Sequence, residues 1–172
     1  NKTAIEDHFD HSFELEETLA AKGKDEALHL VKDMLHNPGS VFYVRQQQPA
    51  GLGHAVWCAR HLVGSEPVAV LLADDLILGA SCVKEMVDAY KGGNMVAVMD
   101  VPHEQTGSYG IVTPGADDGR IVQVEGLVEK PDPSSAPSNI AVVGRYIITP
   151  EVFETLAAQE RGAGGEIQLT DA

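Results

Sequence analysis

Pro67-Val68-Ala69-Val70-Leu71-Leu72-Ala73, followed at once by Asp74-Asp75, is the stretch that decides the fold. An almost continuous apolar run of this length reads as a strand covered on both faces, not as one alternating between core and water. In an open sheet, ligands gather outside the carboxyl ends of the strands, so two aspartates at such an end are candidate chemistry.

The segments around this strand set its context. In residues 12–36, Leu15, Leu19, Leu28, Val31 and Leu35 recur at offsets of three, four or seven, with acidic residues on the other face. This predicts a peripheral helix, bent or broken near Gly23. Val41-Phe42-Tyr43-Val44, bounded by Asn37-Pro38-Gly39 and by Gln and Pro after it, reads as a short strand. A loop through Gly51 and Gly53 then opens a helix near Gly53 or His54 that runs to about Val63. Val83, Met86, Val87 and Tyr90 predict another amphipathic helix, stopped by Gly92-Gly93, and residues 94–101 another buried strand. This alternation predicts an α/β fold with a mainly parallel sheet and helices on both faces.

After residue 101 the pattern changes. Tyr109–Thr113 and Arg120–Val124 flank a Gly-Ala-Asp-Asp-Gly turn and read as an antiparallel hairpin, which makes the sheet mixed. Residues 131–138, rich in Pro and Ser, predict an exposed loop, and residues 141–148 a further strand. Thr149-Pro150-Glu151 then supplies an N-cap, a first-turn Pro and a first-turn acid for a helix. There is no internal repeat, and residues 1–172 read as a single domain.

Composition narrows the function. Twenty-six acidic residues against 12 basic ones give a formal charge of −14, which disfavours a nucleic-acid polymer as partner. Any anionic ligand should be small and locally neutralised. With 44% hydrophobic residues the chain can bury a core, and no apolar run approaches the roughly 18 residues of a membrane span. The first residues show neither an initiator Met nor a signal peptide, which suggests a chain that starts in mid-sequence. Cys58 and Cys82 fall in predicted helices and suit reduced, buried thiols of a cytoplasmic protein. Asp7-His8-Phe9-Asp10-His11 offers metal-ligating types, but no Cys or further His nearby completes a zinc set, so it reads as a solvated acidic turn or helix.

Three places could carry chemistry. In Gln46–His54, glycines at 51 and 53 allow close approach to the backbone, and Gln46 has both a donor and an acceptor to read a base edge. A tight turn explains the same glycines. So does a dinucleotide fingerprint ending on Asp74 or Asp75, although Val56 stands where the third glycine belongs. Asp74 and Asp75 point to opposite faces if extended, so one suits a magnesium-nucleotide site and the other a cap or loop. A solvated turn is the plain alternative. Glu129-Lys130-Pro131, taken with Ser108-Tyr109-Gly110, pairs an acceptor for vicinal sugar hydroxyls with a point charge for phosphate, or is simply an exposed strand end.

These motifs occur in a familiar order: Gln46-x-x-Pro49-x-Gly51-Leu52-Gly53-His54-Ala55, Leu72-Ala73-Asp74-Asp75, Ser108–Val112, Val128–Pro131, Ser138-Asn139-x-Ala141–Tyr146 and Gly162–Ala172. The whole chain resembles the middle of the bacterial UTP–glucose-1-phosphate uridylyltransferases. The resemblance implies a Rossmann-like nucleotidyltransferase fold, incomplete at both ends, and conversion of UTP and glucose 1-phosphate to UDP-glucose and pyrophosphate. It also implies Mg2+ as cofactor, a cytoplasmic location and a homo-oligomeric complete protein.

Residue by residue, the resemblance assigns Gln46 and Gly51 to the uracil, Asp74 to the magnesium ion, Gly110 to backbone contacts with the sugar, Glu129 to glucose hydroxyls and Lys130 to the glucose phosphate. Sibling enzymes that use another base or sugar share this chemistry, and a folded nucleotide-sugar-binding fragment without turnover is the alternative of a different class. Ala73 stands where relatives often carry proline. No segment matches the family's glycine-rich triphosphate loop, and its second metal aspartate normally lies beyond the point corresponding to Ala172. Asp171 is therefore assigned with Glu166–Asp171 to the start of a structural helix.

Overall fold

A computed structural model describes residues 3–172 and divides them into two compact units, 3–45 and 46–172. The first unit is helical, with α1 at Thr3–His8, α2 at Phe13–Ala21 and α3 at Asp25–Asp33. The break between α2 and α3 lies where the sequence predicts it: Gly23 takes φ +62°, a left-handed conformation that glycine adopts at little cost. Neither α2 nor α3 buries a residue fully.

Val41–Val44 forms no strand. All four side chains are exposed, Phe42 at 66%, and β-propensity without a neighbouring ladder does not make a sheet.

In the second unit, α4 (Leu52–Cys58) and α5 (Arg60–Val63) replace the single predicted helix, with Ala59 between them. They are followed by β1 (Val68–Leu71), α6 (Cys82–Ala89) and β2 (Met95–Asp100). The hairpin strands are β3 (Gly110–Asp117) and β4 (Val122–Glu129), and β5 (Ile140–Ile148) leads into α7 (Glu151–Ala158). The hairpin turn is tighter than predicted, because Asp118 accepts from the amides of Arg120 and Ile121 and both strands extend to meet it. Those amides, Ile121 first, hold the Asp118 carboxyl below its ordinary pKa. At α7 the helix opens at Glu151 after Pro150, and Thr149 bonds the Glu151 carboxylate instead of capping the helix with its side chain.

The sheet corrects the expected strand pairing. Every described pair is antiparallel, whereas alternation predicts mostly parallel neighbours. Tyr146 of β5 pairs with Val70 of β1 on one edge and with Val96 of β2 on the other. Thus β1 and β2 point the same way, as a strand-helix-strand unit requires, but β5 runs between them in the opposite sense. On the β1 side of β5, Ala141 meets Ile111 of β3, so β1 and β3 share one edge of the same strand. On the β2 side the register jumps from Val96↔Tyr146 to Ala97↔Val143, which leaves Gly144 and Arg145 as a bulge.

Alternation along these strands builds the core. Val112, Val142, Tyr146 and Ile148 face Val152, Phe153 and Leu156 of α7, with Val56 and Trp57 of α4 packed against them. Val101, Ile111 and Ala141 form a smaller cluster, covered by Tyr109. β1 is half-buried in alternation, with Leu71 exposed, so in this structure it is covered on one face and not on both. α6 lies against β2 and β5 and buries Met86. Among the described residues no helix is long and apolar enough to cross a membrane.

Candidate functional site

Gly51 and Gly53 are explained by their neighbours. A Cβ on Gly51 would lie 2.6 Å from the Ile167 carbonyl oxygen, and one on Gly53 would lie 2.8 Å from Leu156 Cδ2. The backbone here is stitched in both directions: Gly53 N–H donates to Ile167 O at 2.9 Å and Ile167 N–H to Ala50 O at 2.7 Å. Gly51 also sits at φ +106°, closed to most side chains. Part of the freedom assigned to a ligand is therefore used by the chain itself. Residues 166–172 do not begin a helix; they run alongside this loop and turn at Leu169–Ala172.

Gln46 is held beside the same loop. Its Nε2 donates to Gly51 O at 2.9 Å and lies 3.0 Å from His54 Nδ1. With the amide nitrogen engaged, the amide oxygen is the end left to accept a hydrogen bond. His54 stacks on Trp57, and the Arg60 guanidinium lies over the Trp57 ring at 3.5 Å from its centre. Cys58, 4.0 Å from the His54 ring, and Cys82 are both free and only half-buried, less enclosed than their helical positions suggest.

Asp74 and Asp75 divide their roles as expected for adjacent residues at a strand end. Asp75 Oδ2 accepts from the Gly144 amide at 2.8 Å, and Leu72 N–H donates to Gly144 O at 2.8 Å. Gly144 has to be glycine for this approach: a Cβ would come within 2.6 Å of Leu72 Cβ and against the Asp75 carboxylate. Asp74 is exposed, and no described residue engages it.

At the end of β4, Glu129 pairs in register with Gly110, and its Oε2 would lie 3.1 Å from a Gly110 Cβ. The same oxygen accepts from Thr170 Oγ1 at 3.3 Å. Thr170 comes from the segment treated as structural in the sequence, where no local signal ties it to Glu129, 41 residues away. Lys130 continues the ladder through its amide to Tyr109 O at 2.9 Å, but at φ +47°. A non-glycine residue there costs roughly 1–2 kcal/mol. Its ammonium stays exposed, 3.7 Å from Glu129 Oε1.

Strand pairing brings the ends that carry Asp74 and Glu129 to one edge of β5. The end of β1 reaches β5 at Leu71↔Arg145 and the start of β3 reaches it at Ile111↔Ala141, so four residues of β5, about 13 Å, separate the two junctions. The buried Tyr146 senses both: desolvation foremost, then the charge of Glu129, then that of Asp75, raise its phenol above the ordinary value. Gly51 is joined to this neighbourhood through the 166–170 segment that also delivers Thr170. Among the described residues no three His, Cys, Asp or Glu gather into a group that could hold a metal, and His11 instead lies 3.0 Å from Glu16.

The chain matches a profile described as nucleotidyl transferase over residues 10–172. It is 50% identical to a UTP–glucose-1-phosphate uridylyltransferase of Komagataeibacter xylinus, over 99% of this chain and 61% of that one. It superposes on a UDP-glucose pyrophosphorylase solved with UDP-glucose at a TM-score of 0.85 and 37% identity, covering 99% of this chain and 63% of that one. A UTP-bound enzyme of the same kind from Acinetobacter baumannii gives 0.82 and 38%, over 98% of this chain and 60% of that one. The chain thus spans about three fifths of the length of these relatives. On the match across residues 10–172, the chain belongs to the nucleotidyl transferase family.

Proposed function

We propose that the protein containing this chain transfers uridylyl from UTP to glucose 1-phosphate, giving UDP-glucose and pyrophosphate. The observation that carries this reading is the cluster of Gly110, Glu129, Lys130 and Thr170 on the same strand edge as the exposed Asp74. Relatives described as uridylyltransferases, and structures holding UTP or UDP-glucose, support the choice of base and sugar.

In the reaction an oxygen of glucose 1-phosphate forms a bond to the α-phosphorus of UTP while the bond to the β-phosphate bridging oxygen breaks, and pyrophosphate leaves. No bond to the protein forms. Both reactants are anions, so the work of the chain is neutralisation and alignment. Lys130 offers to the sugar phosphate an ammonium on a side chain that is 62% exposed. Glu129 accepts from sugar hydroxyls with Thr170 fixing its carboxylate, and the lack of a side chain at Gly110 leaves room for that carboxylate, whose Oε2 would lie 3.1 Å from a Cβ there. The Gln46 amide oxygen accepts the imide N–H of uracil, with the amide oriented by Gly51 O and His54.

Asp74 fits a divalent cation, taken as Mg2+. It is an exposed carboxylate at a strand end, an oxygen ligand of the kind such an ion takes together with substrate oxygens and water. When bound, the ion supplies positive charge beside the reacting phosphates. One domain over residues 1–172, a cytoplasmic location and a homo-oligomeric complete protein belong to the same proposal.

A pyrophosphate-release assay on the complete protein tests it. UTP with glucose 1-phosphate should support turnover well above thymidine triphosphate or other sugar phosphates. Equal rates for all would leave only the broader nucleotidyl transferase reading. Residues 1–172 alone should bind UDP-glucose weakly and not turn over, whereas robust turnover would overturn the view that a triphosphate loop lies outside them.

A further inference from the structure

Arg145 sits in β5 where the register against β2 skips Gly144 and Arg145. A bulge of this kind re-aims a side chain, and here the side chain turns toward the end of β1. Its guanidinium Nη1 donates to Leu72 O at 2.9 Å and to Gly144 O at 2.7 Å, and Nη2 donates to Asp75 O at 2.6 Å. Leu72 and Asp75 bracket Ala73-Asp74. Among the described residues Arg145 forms no ion pair, so the charge of this half-buried group is spent on backbone carbonyls.

Such an arrangement does more than join two strands. The strand pairing itself ends at Leu71↔Arg145, and beyond it the chain carrying Asp74 has lost its regular ladder. From there, the Gly144 amide holds the Asp75 carboxylate, the Gly144 carbonyl holds the Leu72 amide, and the planar fork of Arg145 reaches two carbonyls three residues apart. The backbone is tied on both sides of Asp74, and among the described residues none bonds its exposed carboxylate.

We propose that Arg145 is the positioning residue for Asp74: by clamping the carbonyls of Leu72 and Asp75 it fixes the direction in which the Asp74 carboxylate meets a divalent cation. This rests on the reading of Asp74 as the metal ligand. Groups that orient a ligand from behind commonly change metal affinity about tenfold or more when lost. Lysine keeps the charge and the stem but lacks the fork, so it cannot hold both carbonyls in the same way.

The test is Mn2+ binding to the complete protein, followed by electron paramagnetic resonance in the presence of UTP, for Arg145→Lys, Arg145→Met and Asp74→Asn. UDP-glucose affinity without metal and thermal midpoints are measured alongside. Arg145→Lys should weaken Mn2+ binding about tenfold, with UDP-glucose affinity without metal within about twofold of the parent, and Arg145→Met should weaken Mn2+ binding further. If Arg145→Met does not fold, Arg145→Lys carries the test. Unchanged Mn2+ affinity in Arg145→Lys, with a large loss in Asp74→Asn, overturns the positioning role alone. A parallel loss of Mn2+ binding, UDP-glucose binding and thermal midpoint assigns Arg145 to general support of the sheet and also overturns it. Unchanged affinity in Asp74→Asn removes the metal reading beneath it.

Discussion

Two strand ends, Asp74-Asp75 after β1 and Glu129-Lys130 at the end of β4, each carry adjacent charged residues, and each spends one of them on structure. After β1, Asp75 is absorbed by the Gly144 amide while Asp74 stays free. After β4, Glu129 is largely buried against Gly110 and Thr170, with 17% of its side chain exposed, while the neighbouring Lys130 is 62% exposed. They differ in how the free group is presented. Asp74 is presented by clamping the chain on both sides of it, and Lys130 by a backbone turned into the left-handed region. In each pair the better buried member, Asp75 or Glu129, is held by the chain, and its neighbour is turned to solvent.

This division ranks the effects of substitution in the complete protein. Asp74→Asn should produce the largest change, a fall in kcat at saturating UTP of roughly 10²–10³, the scale of losing one oriented charge at a phosphoryl centre. Steady-state pyrophosphate release measures it, and unchanged turnover would make Asp74 an ordinary solvated residue. Lys130→Met should come next, lowering kcat/KM for glucose 1-phosphate about a hundredfold while the affinity for UTP holds. Lys130→Gly sharpens the contrast further. It should lose activity to the same degree yet raise thermal stability, by up to about 1 kcal/mol, because glycine adopts φ +47° without the clash a Cβ suffers.

Asp75→Asn addresses the anchor. The carboxamide oxygen can still accept from Gly144, but the bond loses its charge, and about 1–2 kcal/mol of stability should go with it. Turnover should fall far less than in Asp74→Asn. A variant with normal stability and abolished turnover would reverse the two roles.

Much of this was readable from residue patterns, and the parts that were not have a common cause. The break at Gly23, the helix at Cys82–Ala89, the hairpin and the strand at Ile140–Ile148 follow from local periodicity and turn residues. The direction of β5 does not, because an apolar run carries no arrow: it reads the same whether it pairs parallel or antiparallel, and its insertion between β1 and β2 is decided by partners far along the chain. Val41–Val44 fails for the same reason, with strand-forming residues but no ladder beside them. At the site, Gly51 and Gly53 announce a close approach without saying whether a ligand or Ile167 makes it. Thr170 and Arg145 each act across long separations, 41 residues to Glu129 and 70 to Asp75, beyond the reach of any spacing argument.

The smallest effect ties the two strand ends together through Tyr146. Its phenol is raised by burial first, then by Glu129 and then by Asp75, one charge from each end. Neutralising Glu129 with Glu129→Gln should lower the phenol pKa more than Asp75→Asn does, and neither should return it to its ordinary value, because the burial remains. Ring resonances of Tyr146 followed by NMR through alkaline pH would read this order, and a larger shift from Asp75→Asn would place the phenol nearer the β1 end. The same titration has a consequence for stability. The folded protein holds the phenol proton more tightly than the unfolded chain, so stability from this group is fully present below the ordinary tyrosine pKa of about 10 and falls as pH rises toward the folded value. Tyr146→Phe should remove that alkaline slope while changing stability at neutral pH by less than about 1 kcal/mol, since the hydroxyl bonds no described residue. A slope that survives in the phenylalanine variant would mean that another group carries the alkaline loss, and Tyr146 would then report the two charges without coupling them to folding.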